Sequence, residues 1–166
     1  MTERVQFVDE NDNPIGAGPR EEAWEKGIIL RHAYIVLRDE DGNFLLQQRS
    51  QQKKKNPGRY TYAATGHVDE GESYDEAAVR ELKEEVGIDA HLTLIDKSLY
   101  MSDEINSKVY IAIYSGEIPH DIQLTLDPEE VSATHWFTET ELAEAVSKTP
   151  EQFSPNMVKT FKKIFL

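Results

Sequence analysis

The sequence predicts an α/β sandwich built on a mixed β-sheet, and three observations lead to this prediction. Short apolar runs rich in β-branched and aromatic residues recur between turn signals, as expected of strands. These strand segments outnumber the helical ones, and the main helical patterns lie in the middle and at the end of the chain. A length of 166 residues, with 39% hydrophobic and 30% charged residues, suffices for one domain with a buried core.

The composition excludes several classes of protein. The chain has no cysteine, so disulfides, thiolate metal sites and a cysteine nucleophile are ruled out. No apolar run reaches the length of a membrane span, and the first residues lack the pattern of a signal peptide. We therefore expect a cytoplasmic protein. The net charge of −13 argues against nucleic-acid polymers and membranes as partners, because both attract basic surfaces.

The first half of the chain reads as strands separated by turns. Residues 1–27 form an extension that begins with a β-hairpin, whose turn is rich in Asn, Asp and Pro. Residues 20–26 form either a short helix or a loop that carries Trp24. The predicted strands lie at residues 4–8, near 15, at 28–37, 44–48 and 60–64. The predicted turns and loops lie at residues 9–14, 39–43 and 51–58.

The second half continues the same alternation and ends in helices. The predicted strands lie at residues 91–101, 108–116 and 131–137, with a further short strand at 122–126. Thr138 and Glu141 have the spacing of a capping box, and Ser154 followed by Pro155 opens a terminal helix. No repeat, low-complexity tract or linker interrupts the chain, so we expect a single domain over residues 1–166.

A helix is predicted within the segment Gly66–Ile88, which begins as a loop. Ser73 and Glu76 form a capping box at its start, and Gly87 is typical of a helix end. Three apolar side chains share one side of this helix and can attach it to a core, with Val79 nearby; the three are Ala78, Leu82 and Val86.

Three carboxylates lie on an adjacent stripe of that helix, at Glu81, Glu84 and Glu85. Like charges at this spacing destabilise a helix by about 0.2–0.5 kcal/mol per pair, so we expect a cation to be recruited. Mg²⁺ is suited to the site because it prefers oxygen ligands and keeps waters and substrate phosphates in its shell. Arg80 can reach Glu76 or Glu84 across one turn. The alternative is an ordinary solvated acidic face.

The same segment resembles a known sequence signature, the Nudix box. Its order is Gly66, five residues, Glu72, seven residues, Arg80-Glu81-Leu82, one residue, Glu84-Glu85, one residue, Gly87-Ile88. The resemblance implies the Nudix hydrolase superfamily and an α/β/α sandwich with a mixed sheet, here extended by the N-terminal hairpin. Members hydrolyse a diphosphate linkage in nucleoside diphosphate derivatives with Mg²⁺, and Mn²⁺ is the alternative ion.

The resemblance also assigns residues to roles. Glu81, Glu84, Glu85 and the carbonyl of Gly66 are the implied metal ligands, while Glu72 at the metal site and Arg80 orient them. In many relatives one further carboxylate acts as ligand or general base. Glu130 is our first candidate for it, Glu129 the second and Glu104 the third, and surface acids without a role are the alternative.

Several flanking stretches are similar to Nudix proteins related to isopentenyl diphosphate isomerase. These stretches are VDENDNPIG, LRHAYIV with His32, LLQQRSQQKKKNPGRY and GHVDEGES. His32 and His67 lie where two metal-binding histidines of that isomerase would be. Thr65 stands where the isomerase has its catalytic cysteine, and its Glu-x-Glu pair is not evident. Since a threonine hydroxyl is too weak an acid to replace a thiol, we infer isomerase ancestry without isomerase chemistry.

The candidate substrate-binding residues are basic or lie beside the metal loop. Arg49, Arg59 and Lys55 can attract phosphate, and His67 can contact it; a merely solvated basic loop at residues 53–55 is the alternative. For His32 we favour a buried, hydrogen-bonded histidine. Aromatic residues that could stack on a nucleobase are Trp24, Tyr60, Tyr62 and Trp136, although Trp136 is better explained as core.

These observations lead to one principal hypothesis and two rivals. The principal hypothesis is a Mg²⁺-dependent pyrophosphohydrolase whose partner is a small-molecule diphosphate. The rivals are an isomerase-like enzyme acting on an isoprenyl diphosphate and a non-catalytic diphosphate-binding regulatory module. A homodimer, paired through the edge of the N-terminal hairpin, is left open.

Overall fold

The computed structural model describes residues 3–166, so the first two residues of the predicted extension lie outside the described part. Its strands are β1 (Val5–Val8), β2 (Pro14–Gly18), β3 (Ile29–Arg38), β4 (Phe44–Arg49), β5 (Tyr60–Tyr62), β6 (Ala64–His67), β7 (Thr93–Ser102), β8 (Ser107–Glu117) and β9 (Val131–Phe137). Its helices are α1 (Arg20–Lys26), α2 (Tyr74–Val86), α3 (Glu139–Lys148) and α4 (Pro155–Phe165), with a 3₁₀ turn at Pro150–Gln152. Within this part of the chain, every helix is too short or too polar to cross a membrane.

The long strand β3 is the centre of a mixed sheet that contains all nine strands of the described chain. β8 runs parallel to β3 from Leu30 to Arg38. Three short strands, β1, β6 and β4, pair with β3 in antiparallel fashion at successive positions. β2 pairs with β1, β7 with β8, and both β5 and β9 with β4. One long strand therefore fixes the positions of most of the others.

Each face of the sheet buries its own cluster of apolar side chains. Alternate residues of β3 point to opposite faces, as in any strand. Tyr34 and Val36 pack in a cluster with residues of α3 and α4, including Phe161. Ile35 and Leu37 pack in a second cluster with residues of α2, including Leu82. Helices thus cover both faces, which confirms the predicted sandwich with a mixed sheet.

Helix α2 has both of the predicted termini. Ser73 and Glu76 form the capping box, each side chain accepting a hydrogen bond from the other residue's backbone N–H. Gly87 ends the helix with φ at +74°, a left-handed conformation in which glycine is favoured. The predicted apolar side is buried, but Val79, expected nearby, is 50% exposed.

Two strand predictions were wrong. Residues 60–64 do not form one strand, because the chain leaves β4 after Tyr62 and joins β3 at Ala64. Gly66 and His67 consequently belong to β6 rather than to a loop. Residues 122–126 form no strand, since the backbone N–H groups of Thr125 and Asp127 donate to carbonyls at the end of α2. The alternating apolar residues of this segment still pack on the core.

The N-terminal hairpin is fastened to the rest of the chain through Asp12 at its turn. The Asp12 carboxylate accepts hydrogen bonds from Arg31 at 2.7 Å, from Lys97 at 2.9 Å and from the Tyr74 hydroxyl at 3.0 Å. Only 10% of the Asp12 side chain is exposed, and 13% of that of Arg31. The turn thereby joins β3, β7 and the first residue of α2.

Candidate active site

A cleft of about 940 Å³ opens beside α2 and β6. Its acidic lining residues include Glu81, Glu84, Glu85, Asp127, Glu129 and Glu130. Its basic lining residues include Arg20, Arg49, Lys53, Lys54 and Lys55, and Lys53 is hydrogen-bonded to Glu130. The lining also includes Trp24, His32, Tyr34, Thr65, Gly66 and His67. The cleft therefore combines a place for cations with a place for anions.

Glu81 and Glu85 are both buried, at 7% and 4% exposure, although they carry carboxylates on successive turns of α2. Burial, together with the charge of Glu85, raises the pKa of Glu81. Burial also raises the pKa of Glu85, and the nearby Glu130 adds to the effect. Two buried carboxylates that repel each other favour a proton or a metal ion between them.

The orientation of Glu85 is set by neutral donors. Its Oε1 accepts hydrogen bonds from Nε2 of Gln47, at 2.7 Å, and from the backbone N–H of Thr65, at 3.0 Å. Gln47 is itself buried, because it lies on the face of β4 that carries Leu45 into the core. Both bonds go to the same oxygen, so neither of these donors occupies Oε2 of Glu85.

Gly66 lies directly against the carboxylate of Glu81. A Cβ atom at this position would come within 2.1 Å of the Cδ and Oε1 atoms of Glu81. Such a distance is far below van der Waals contact, so only glycine is accommodated without a shift. The backbone of β6 and the acidic side of α2 are therefore in immediate contact.

Arg80 holds the acidic residues in a fixed arrangement. Its Nε and Nη2 donate to the two carboxylate oxygens of Glu72, at 2.7 and 2.9 Å. Its Nη1 donates to Glu81 at 2.8 Å and to Glu84 at 3.2 Å. Arg80 thus reaches Glu84 as expected, but it contacts Glu72 and Glu81 instead of Glu76. The Arg80 hydrogen bonds lower the pKa of Glu72 even though burial opposes the shift.

The predicted metal ligands are not equally placed. Glu81 and Glu85 are buried in the cleft, whereas 56% of the Glu84 side chain is exposed at its edge. Glu72 does not line the cleft, and Arg80 occupies both of its oxygens. Glu72 lies before α2, where its carboxylate accepts from the guanidinium of Arg80, and its place at the metal site stays a prediction.

The predicted substrate-binding residues are divided between two places. Arg49, Lys55 and His67 line the cleft. Arg59 lies in a separate, shallower groove with residues of α4, including Val158 and Lys162. Arg59 directly precedes β5, and its role in substrate binding stays a prediction. Sequence reasoning also missed Gln47, Arg20 and Asp69; for Gln47 the signal was a polar residue at a core-facing position of a strand.

The two cleft histidines are packed against each other. Their ring centroids are 4.4 Å apart, and neither Nε2 has a hydrogen-bond partner among residues 3–166. Nδ1 of His32 is 3.4 Å from the Tyr34 hydroxyl. Burial lowers the pKa of His32 to about 4 and also lowers that of His67. His32 is thus buried at its polar tip, as predicted, but it is only partly hydrogen-bonded.

Within residues 3–166, no three histidine, aspartate or glutamate side chains form a ready set of metal ligands. A Mg²⁺ site does not require one, because the ion usually takes one or two carboxylates and completes its shell with waters and phosphates. Glu81, Glu85 and the Gly66 carbonyl supply oxygen only, the donor type that Mg²⁺ prefers. The close approach of Gly66 to Glu81 and the mutual repulsion of the acids fit such an ion.

Comparison with known proteins identifies similar sequences and folds. The NUDIX domain profile matches residues 29–160. The chain is 31% identical over 167 residues to isopentenyl-diphosphate Delta-isomerase 2 of Photorhabdus laumondii, covering 99% of this chain and 91% of that protein. It is 32% identical over 163 residues to the prenyl-diphosphate phosphatase of Methanosarcina mazei, covering 97% and 94%. The crystal structure of DR0079 from Deinococcus radiodurans has the same fold, with a TM-score of 0.82, 21% identity and coverage of 99% and 100%.

Proposed function

The chain belongs to the Nudix hydrolase family, and from this premise we propose that it is a Mg²⁺-dependent pyrophosphohydrolase of a small organic diphosphate. One observation carries the proposal: a buried pair of carboxylates, Glu81 and Glu85, lines the same cleft as several basic side chains. The acidic side suits a divalent cation, and the basic side suits the phosphates that such a cation accompanies. The substrate classes are nucleoside diphosphate derivatives and, in view of the phosphatase relative, prenyl diphosphates.

The acidic and the basic residues of the cleft would have different roles in the proposed reaction. Glu81, Glu85 and the Gly66 carbonyl would hold Mg²⁺, with Glu84 as a further ligand at the edge. Mg²⁺, when bound, would polarise the phosphate oxygens and offset their developing charge. Arg80 keeps Glu81 in position through its Nη1 hydrogen bond. Arg49 and Lys55, which line the same cleft, would orient the diphosphate and bring its phosphorus to the attacking water.

Glu130 is the residue we assign as general base. Its carboxylate accepts a hydrogen bond from Lys53 at 2.7 Å, and its charge raises the pKa of Glu85. The backbone carbonyl of Glu130 accepts a hydrogen bond from Ser50, which fixes the segment beside β4. In the proposed step, the water oxygen bonds to phosphorus as the bridging P–O bond breaks. Glu130 takes the proton, and the leaving phosphate takes the electron pair.

A substrate panel tests the proposal. The protein would be incubated with Mg²⁺ and nucleoside diphosphate sugars, dinucleoside polyphosphates, ADP-ribose or prenyl diphosphates, and the products followed by phosphorus NMR. We expect one class to be cleaved, and we expect Glu85→Gln to lose at least about a hundredfold of that activity. Asp89→Asn, which removes the same charge at an exposed site outside the cleft, should retain it.

The rivals give different results in the same panel. Tight binding without turnover would favour a regulatory module. Double-bond migration in isopentenyl diphosphate would favour an isomerase. Thr65, which lines the cleft beside Glu85, argues against that outcome because its hydroxyl is not acidic enough to protonate an alkene.

A further inference from the structure

Two connecting segments meet at the mouth of the cleft. The first is the loop of residues 50–59 between β4 and β5, and the second is the turn of residues 103–106 between β7 and β8. Nδ2 of Asn56 donates a hydrogen bond of 2.6 Å to Oε1 of Glu104, and Nζ of Lys55 donates one of 3.2 Å to the Glu104 carbonyl. The guanidinium of Arg49 in turn donates to the Lys55 carbonyl at 2.8 and 3.1 Å. We call these four residues, Arg49, Lys55, Asn56 and Glu104, the latch.

The Glu104 carboxylate lies among several groups that attract negative charge. Burial raises its pKa, and four neighbours offset only part of this shift: the charges of Arg49 and Lys55, the Asn56 amide and the backbone N–H of Asn156. Asn156 lies in the first turn of α4, where backbone N–H groups favour negative charge. Carboxylate and phosphate oxygens accept hydrogen bonds from the same kinds of donor. A phosphate oxygen would therefore be attracted by the same neighbours as the Glu104 carboxylate.

The latch belongs to the same cleft as the acidic pair. Arg49, Lys55 and Glu104 line it together with Glu81 and Glu85. Nζ of Lys55 also lies 5.1 Å from the ring centroid of Trp24, another lining residue. A substrate phosphate that reached Arg49 and Lys55 would come close to the Glu104 carboxylate and be repelled by it. The Glu104 carboxylate and the phosphate would thus compete for the attraction of the same two positive charges.

We propose that Glu104 is an internal competitor for a substrate phosphate and so determines how much negative charge a ligand needs to enter the cleft. In the free protein the charge of the Glu104 carboxylate acts on Arg49 and Lys55 without a direct ion pair, since Lys55 bonds to the Glu104 backbone carbonyl and Arg49 to the Lys55 carbonyl. When the substrate binds, its phosphate displaces the carboxylate, and the turn of residues 103–106 moves away from the loop. This inference rests on the proposed function, because it requires that the cleft receive a phosphorylated ligand.

Binding of methylenediphosphonate, a diphosphate that cannot be hydrolysed, tests the inference. Its affinity for the intact chain would be measured by calorimetry in Mg²⁺ for the wild type and for Glu104→Gln. Glutamine keeps an acceptor for Asn56 but removes the competing charge, so we expect binding to tighten about three- to tenfold, the scale of one partly screened charge pair. A thermal melt would show that the variant is folded.

Asp103→Asn is the matched control. Asp103 lies in the same turn and carries the same charge, but its carboxylate faces Lys159 on α4, at 3.6 Å, outside the cleft. We expect this variant to bind like the wild type. An equal gain in both variants would reduce the effect to net charge, and weaker binding by Glu104→Gln would show that Glu104 only fastens the loop. Either result overturns the inference.

Kinetics separate this inference from the proposed function. With a substrate that the panel identifies, Glu104→Gln should lower KM by a similar factor, because the removed charge opposes substrate binding. If the wild type hydrolyses its substrate but Glu104→Gln leaves KM unchanged or raises it, only the inference fails. If the wild type neither hydrolyses a diphosphate nor binds methylenediphosphonate, both fail.

Discussion

At the scale of single residues, two carboxylates in the cleft repel each other, and a bound cation would reduce this repulsion. Glu81 and Glu85 are buried side by side, and both have raised pKa values because burial disfavours their charged forms. Arg80 compensates Glu81 directly, whereas Glu85 is held by the neutral donors Gln47 and Thr65. The negative charge of Glu85 therefore favours the binding of a cation but lowers the stability of the metal-free protein.

This opposition predicts that Glu85→Gln stabilises the metal-free protein. Glutamine can still accept the hydrogen bonds from Gln47 and Thr65, but it no longer repels Glu81. We expect the free energy of unfolding in EDTA to rise by about 1 kcal/mol, and the stabilisation that Mg²⁺ gives the wild type to shrink. Thermal melts with EDTA and with Mg²⁺ measure both effects. A variant less stable than the wild type in EDTA would contradict this account of the acidic pair.

Because His32 is buried, we expect the folded protein to lose stability in mild acid. Burial lowers its pKa from 6.5 to about 4 in the folded chain, so below pH 6.5 the unfolded chain binds a proton that the folded one does not. Stability due to His32 is thus complete above pH 6.5 and lost as the pH falls towards 4, a change of about 1–3 kcal/mol. Glu81 and Glu85 act in the opposite direction, since their raised pKa values favour the folded state in acid.

The effect of His32 can be isolated by comparing slopes. Urea unfolding between pH 7.5 and 4.5 would be measured for the wild type and for His32→Gln. The wild type should lose more stability across this range than the variant, whatever their stabilities at pH 7.5. Parallel curves would show that His32 becomes protonated in the folded protein.

At the scale of elements, the features that could be predicted are those that neighbouring residues in the sequence specify. The α2 helix could be placed from sequence because Ser73 and Gly87 specify its ends without reference to the rest of the chain. The division of residues 60–67 into β5 and β6 could not, since it depends on which strand each part meets. Residues 122–126 alternate like a strand, but their backbone donates to the end of α2.

The site shows the same division between local and tertiary information. The helical spacing of Glu81 and Glu85 placed them together, and the resemblance to a known signature gave them a role. The exposure of Glu84 and the attachment of Glu72 to Arg80 depend on how α2 packs, so spacing alone could not separate them. The position of Arg59 in a separate groove with residues of α4 likewise depends on tertiary packing.

The capping box of α2 predicts a loss of stability with little loss of activity. Ser73→Ala removes the hydroxyl that accepts from the Glu76 N–H, and a lost cap costs about 1 kcal/mol. Ser73 does not line the cleft, so kcat should stay close to that of the wild type. Urea denaturation and turnover measure the two effects. Thr138→Ala, which removes the corresponding cap of α3, should cost a similar amount; a large fall in kcat for Ser73→Ala alone would link the cap to catalysis.

At the scale of the whole molecule, the N-terminal hairpin is a structural part of the domain. Asp12 is bonded to Arg31 on β3, to Lys97 on β7 and to Tyr74 on α2, and it lies almost wholly out of solvent. The hairpin also extends the sheet through β1. We therefore expect the domain to lose stability when this connection is removed, even though the hairpin precedes the matched family region, residues 29–160.

Asp12→Asn tests this expectation. Asparagine tolerates the left-handed backbone at this position, φ +64°, but leaves Arg31 buried without its counter-charge. We expect a loss of about 2–3 kcal/mol in the free energy of unfolding. Lys97→Gln removes the more exposed partner and should cost less than about 1 kcal/mol. Equal losses in both variants would contradict the greater weight given to Arg31.

The parallel pairing of β3 with β8 also has a consequence for synthesis on the ribosome. Leu30 lies beside Val109, and Arg38 beside Glu117, so one whole side of the central strand must wait until the later segment has emerged. Throughout that interval a newly made chain presents a bare, apolar strand edge that another nascent copy could occupy. The need for chaperones should accordingly be greatest midway through translation and fall once Glu117 has left the exit tunnel.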